Sequence, residues 1–192
     1  IIKIDENLFE NIKNIKKPNI LELGVQKGRS TLKFIEICKI QGGKLFSVDT
    51  DDCSNVSKDP VWKFIKSRDD NFEKIKNIIP KKIDVLYIDT LHEANHVEKI
   101  IYNYYDLINK DGFIFIDDIS HLPYLKNKER NNFYCEINNQ ETFYRILEIY
   151  DNNNHNFDLN FSFKSSGLAI IKKKTNNKLE AKSKIITRKF NI

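Results

Sequence analysis

Two glycines four positions apart, Gly24 and Gly28, follow the apolar run Ile20-Leu21-Glu22-Leu23 and precede a helical pattern that begins at Ser30. Strand, glycine turn and helix in that order make a cradle. Gly24 lets the backbone pass close to a ligand, and Gly28 permits a tight turn into the helix. The unpaired N–H groups of the first helical turn suit a carboxylate or another anion. The spacing matches neither G-x-G-x-x-G nor a G-K-[ST] phosphate loop. Asp49 ends the next apolar run, 25 positions after Gly24, where a carboxylate can accept both hydroxyls of a ribose. Asp51 competes for that role. Two further runs end in acids, at Asp89 and at Asp117-Asp118. Carboxylates gathered in this way favour a hard divalent cation such as Mg²⁺. Neighbours on a strand point opposite ways, so one of the last pair is expected to reach it. His92 lies just past the Asp89 run, and an imidazole of ordinary pKa there suits general-base work. His121 is a second base candidate, and His96 stands one helical turn beyond His92. A helix-capping or packing role is the plain alternative for these histidines.

The elements that must position these residues alternate. Residues 5–17 carry Leu8, Ile12 and Ile15 at helical spacing, stopped by Pro18. Strands are predicted over 19–23, 44–48, 62–65, 83–88 and 113–116, and helices over 30–40, 71–79, 93–108 and 138–150, that of 93–108 being the longest. Phe157–Phe163 and Leu168–Ile171, joined by a turn ending in Ser166-Gly167, read as a closing hairpin. Alternation of this kind implies one α/β domain with a mostly parallel, doubly wound sheet. Ligands then sit beyond the carboxyl ends of the strands. Three strand candidates finish in aspartate at that edge.

The chain has 192 residues, 40% of them hydrophobic, which suits a single core. Its net charge of +5 is concentrated near the end: residues 172–189 hold eight Lys or Arg against one Glu. Such a run reads as a solvated basic tail over 174–192, following a domain over 1–173. Cys38, Cys53 and Cys135 lack metal-binding spacing, so a reduced, cytoplasmic setting is the default. No run is long enough to span a bilayer. The segment after Asp118 is aperiodic. Its Tyr124, with Phe133 and Tyr134, could stack on nucleic-acid bases, but a lid over a small-molecule pocket is the preferred reading.

Glu22-Leu23-Gly24-x-x-x-Gly28 followed by Val48-Asp49 resembles the S-adenosylmethionine (SAM)-binding core of class I methyltransferases. Ile88-Asp89-Thr90-Leu91-His92-Glu93-Ala94-Asn95-His96-Val97 resembles the "IDGDHSYEGV"-like segment of a subfamily that holds small-molecule and sugar O-methyltransferases and cephalosporin-hydroxylase-like proteins. Asp111–Asp118 resembles its following glycine-strand-acid element, and Ser166–Ile171 its closing strand. The match spans about residues 18–173. It implies a Rossmann-like seven-stranded sheet in the order 3-2-1-4-5-7-6. It also implies SAM-dependent methyl transfer to a hydroxyl of a metabolite or sugar. By the same resemblance, Glu22, Gly24, Gln26, Gly28, Asp49 and Asp69 belong to the cofactor site, with Asp69 favoured over Ser67 and Arg68 for the adenine. Asp89, Asp117 and Asp118 stand where metal-dependent members carry acids. The chain departs from the pattern at Thr90-Leu91, where Gly-Asp is common, and at Asp117, where His is common. A non-catalytic SAM-fold interaction module is the alternative. A hydroxylase-like activity ranks below it, for want of a His-x-Asp iron motif. Homo-oligomerisation is left open.

Overall fold

The computed structural model describes residues 6–120, 133–164 and 166–180. Seven strands form one sheet in the order β3-β2-β1-β4-β5-β7-β6. They are β1 (Asn19–Leu23), β2 (Lys44–Asp49), β3 (Trp62–Lys66), β4 (Ile83–Ile88), β5 (Ile108–Asp117), β6 (Phe157–Ser162) and β7 (Leu168–Lys173). The five strands up to β5 are parallel to their neighbours, and β7 pairs antiparallel with both β5 and β6. The order, the parallel core and the antiparallel closing strand are those expected from sequence.

Strand alternation divides the core between two faces. In β1, Leu21 and Leu23 pack with Ile88, Ile100, Ile101 and Ile146 beneath α4 (Ala94–Tyr104) and α5 (Phe133–Asn153). Ile20 joins Phe34, Leu45, Val85 and Phe115 beneath α1 (Glu6–Ile12) and α2 (Arg29–Gln41). Burial of these side chains is the main favourable contribution to folding. The short α3 (Phe72–Lys76) covers the β3 side.

Several expected element boundaries move. The helix predicted over 93–108 stops at Tyr104, passes through a 3-10 turn at Tyr105–Leu107, and yields Ile108 to the sheet, where it pairs with Ile83. The register then shifts, so that Val85 pairs with Phe113 across an irregularity that holds Asp111 at φ 66. The longest helix is therefore α5, with 21 residues. From within it the Asn139 side chain donates to the Ser120 carbonyl, just past β5, at 2.9 Å. Residues 174–180, expected in a basic tail from sequence, are tied to the end of α5 and the turn that follows: the Glu180 amide donates to Asn153 Oδ1 at 2.7 Å and the Lys174 amide to the Asn156 carbonyl at 2.8 Å. Among the described residues, no helix is long and apolar enough to cross a membrane.

Candidate active site

The glycine loop leaves β1 at Gly24, whose φ is 97° and where a Cβ would lie 1.9 Å from the Asp89 carbonyl oxygen. Only glycine fits there. Gln26 is also left-handed, at φ 47°. Gly28, at φ 73°, begins α2 without a side-chain cap and packs on Val56, where a Cβ would meet Cγ1 at 2.2 Å. The first amides of α2 thus lack a capping side chain, an arrangement open to an anion.

Asp49 folds this loop. Its Oδ2 accepts the Val25 and Gln26 amides at 2.8 and 3.0 Å, and its Oδ1 accepts the Asp51 amide at 3.0 Å. Partial burial works against its charge, but the amides of Gln26, Asp51, Val25 and Thr50 outweigh that and hold the carboxyl below its usual range. Glu22 lies beneath the loop and does not line the cavity. It is fully buried on the α2 side of the sheet, accepting Ser30 at 2.6 Å on Oε1 and Thr31 and Ser47 at 2.8 and 2.6 Å on Oε2. Burial pushes it up to about 7 despite those donors. Glu22, expected in the cofactor site, thus sits beneath the cavity lining rather than in it. Gly28 likewise shapes α2 and is not among the lining residues.

A cavity of about 360 Å³ opens over these strand ends. Gly24, Gln26 and Asp49 form one side, and Ser67, Asp69 and His96 are on another. Asp69 is already engaged: its Oδ2 meets Thr90 Oγ1 and His96 Nε2, each at 2.7 Å. Burial raises its pKa, and His96 and Thr90 more than offset this, leaving it lowered. Arg68, also at the cavity wall, pairs with Asp70, with Nε 3.0 Å from Oδ1. Ser67 differs from its neighbours: its hydroxyl is buried without a hydrogen-bond partner. A buried hydroxyl in that condition costs free energy until a ligand or water meets it.

A second cluster sits at the ends of β4 and β5. Asp117 Oδ2 accepts the Tyr87 hydroxyl at 2.9 Å, while Oδ1 accepts the Ser166 hydroxyl and the Asp118 amide, each at 2.9 Å. Asp118 is left-handed, at φ 57°. That turn cancels the alternation expected of adjacent residues and brings its carboxylate to His92. The His92 Nε2 lies 3.5 Å from Asp89 Oδ1 and 3.4 Å from Asp118 Oδ2. Desolvation pushes Asp117 up to about 6, helped by Asp89 and Asp118. Burial alone would lower the His92 pKa, but Asp89, Asp118 and Asp117 raise it above its usual value, so the expectation of an ordinary imidazole is corrected. Tyr87 and Ser166 were missed from sequence as members of this cluster. The one signal for Tyr87 is a hydroxyl between the apolar Leu86 and Ile88 of β4, which demands a partner. His121 lies outside the described residues. Asp89, Asp117 and Asp118 do converge, but among the described residues no group of three or more His, Cys, Asp or Glu side chains is arranged to hold a metal ion.

The fold has many solved counterparts. MycE methyltransferase of the mycinamycin biosynthetic pathway, in complex with Mg and SAH, superposes with a TM-score of 0.69 at 16% identity, over 89% of this chain and 49% of MycE. This chain therefore spans about half the length of MycE. SAH-bound methyltransferase PaMTH1 of Podospora anserina gives 0.70 at 15% identity, over 88% of this chain and 76% of that one. An O-methyltransferase of Bacillus cereus in complex with SAH gives 0.61 at 14%, over 90% and 83%. Among curated proteins nothing matches. A methyltransferase-domain family model matches residues 21–119, from the first strand past the Asp117-Asp118 pair and over more than half of the sequence. With the family model matching more than half of the sequence, the chain belongs to the methyltransferase domain family.

Proposed function

We propose that the domain binds SAM in the cavity beside Asp49 and transfers its methyl group to a hydroxyl of a small molecule, a metabolite or sugar. The carrying observation is the joining of Asp49 to the glycine loop at the cavity wall. Two amides occupy one oxygen; the other accepts the Asp51 amide and, at 3.5 Å, the Thr50 hydroxyl, which a ribose hydroxyl would displace. Gly24 and Gln26 offer a close backbone surface to the methionine part. Ser67, with its unpartnered hydroxyl, is the better reader of the adenine, because Asp69 is held by Thr90 and His96. SAM, when bound, supplies a methyl group already activated on a sulfonium. The chain's remaining tasks are alignment and removal of the acceptor's proton. His92 stands at the neighbouring strand end, next to Asp89, and is the group proposed to take that proton. Asp89 and Asp118 would then face the imidazolium and stabilise it.

The test is methyl transfer from labelled SAM against a panel of hydroxylated metabolites and sugars, run beside calorimetric titration with S-adenosylhomocysteine (SAH). Binding with transfer supports the reading. Binding without transfer to any acceptor favours a non-catalytic module. An absence of binding sinks it.

A further inference from the structure

Residue types alone make Asp89, Asp117 and Asp118 an apparent cation site, and MycE was crystallised with Mg. The geometry of this chain disagrees at each acid. Asp117 is occupied on both oxygens by Tyr87, Ser166 and the Asp118 amide. Turning it outward would cost the buried Tyr87 hydroxyl its shorter contact and leave it only Asp89 Oδ2, at 3.4 Å. Asp89 and Asp118 do aim at a common point, but the Nε2 of His92 stands there, at 3.5 and 3.4 Å. Asp118 reaches that point only through a left-handed backbone, an uncommon state for a residue other than glycine. Strain of this kind persists where the surroundings fix it. Here its effect is to add a second carboxylate to the histidine ring. An Mg²⁺ ion demands near-octahedral oxygen ligation, and the two acids able to contribute are turned to an imidazole.

We propose that the ring of His92 takes the place of a divalent cation between Asp89 and Asp118, so that this site works without metal. The proposal rests on the reading of this edge as the acceptor side. The ring supplies the positive counter-charge when it holds a proton, and Asp117 acts through Asp118 as a positioning residue. The chain thereby keeps the acids of a metal-dependent arrangement while filling it from its own side chains.

Mn²⁺ is the probe, titrated into the full chain and followed by electron paramagnetic resonance of the free ion. The wild type is expected to bind no Mn²⁺ tighter than about 1 mM, the weak end of protein sites for hard cations. His92→Ala removes the ring and leaves two carboxylates facing one another. It should gain Mn²⁺ affinity by at least about tenfold, the effect of one favourable charge contact near 1.4 kcal/mol. His92→Gln, which keeps more of the packing, serves if the alanine variant fails to fold, as judged by its thermal midpoint. Stoichiometric Mn²⁺ binding by the wild type that is lost in Asp118→Asn overturns the proposal, and so does a folded His92 variant that gains nothing. Wild-type binding that survives both Asp89→Asn and Asp118→Asn belongs elsewhere and leaves the proposal standing. SAH titration of the same samples is a separate readout. Failure to bind SAH would sink the cofactor reading without touching the metal result.

Discussion

Asp49 and Asp117 both end parallel strands at one edge of one sheet, yet their surroundings drive them in opposite directions. Asp49 is met by backbone amides and stays charged easily. Asp117 is met by two hydroxyls, one amide and two other carboxylates, and is pushed up to about 6. The lesson is that an acid at a strand end has no fixed job; the donors around it assign one. The β1–β2 half uses its acids to fix backbone. The β4–β5 half uses them to surround a titratable ring. The sign of pH dependence differs accordingly. Asp49, with a lowered folded pKa, contributes stability above its ordinary 3.8 that is lost as pH falls. Asp117, with a raised one, contributes stability below 3.8 that is lost as pH rises through about 6.

The harshest way to break the comparison is to remove the hinge between its halves. Gly24→Ala puts a Cβ 1.9 Å from the Asp89 carbonyl at a φ of 97°, and the obstacle is backbone, so no rotamer change relieves it. Unfolding in urea should show a loss of about 3–5 kcal/mol, the upper range for single changes, with SAH binding abolished. A variant with wild-type midpoint and affinity would mean that the loop moves freely.

His92→Gln addresses the β4–β5 half alone. Turnover on an accepted substrate should fall by about 10²–10⁴, the scale of general-base catalysis, while SAH affinity stays near wild type. Because its three acids raise the His92 pKa, the acid limb of the wild-type rate profile should lie above the ordinary imidazole value of 6.5. A limb at or below that value, or a variant with unchanged turnover, removes His92 as the base.

Much of this was legible in the sequence because it depends on chain order and local sterics. Alternating runs fix the doubly wound sheet, and the glycine pair after β1 marks its ligand-facing edge. What was not legible depends on tertiary donors. The motif groups Glu22 with the cofactor residues, yet strand alternation turns it inward, toward three hydroxyls from α2 and β2. Asp69 was favoured over Ser67 because a carboxylate can accept an amine, and nothing local shows that Thr90 and His96 already claim it. Thr90, read as a departure from the family pattern, supplies one of those contacts. Asp118 joins the site only through a left-handed backbone that residue type does not announce.

The β1–β2 half is tested by titration of SAH. Asp49→Ala should weaken binding by about 1–3 kcal/mol, the range for losing hydrogen bonds to a charged group. Ser67→Ala should cost about 0.5–1.5 kcal/mol if its hydroxyl finds a ligand partner. Unchanged affinity in Asp49→Ala would rule out the ribose role, and a greater loss in Asp69→Asn than in Ser67→Ala would return adenine recognition to Asp69.

The smallest effect sharpens the comparison most, because Glu22, in the β1–β2 half, is driven in the same direction as Asp117 of the other. It is fully buried and pushed up to about 7 from an ordinary 4.5. A raised folded pKa means that the native state holds the proton more tightly than the unfolded chain. Its contribution is therefore complete below pH 4.5 and is lost as pH rises through about 7. Glu22→Gln keeps the shape but cannot ionise, and the hydroxyl facing its Nε2 must turn to accept. The variant should lose that decline, so that its stability relative to wild type rises between pH 5 and 8, by roughly 1 kcal/mol or more. Urea midpoints across that pH range measure it. Parallel curves for the two proteins would show that the three hydroxyls of Ser30, Thr31 and Ser47 hold Glu22 ionised throughout, and would return it to the pattern set by Asp49.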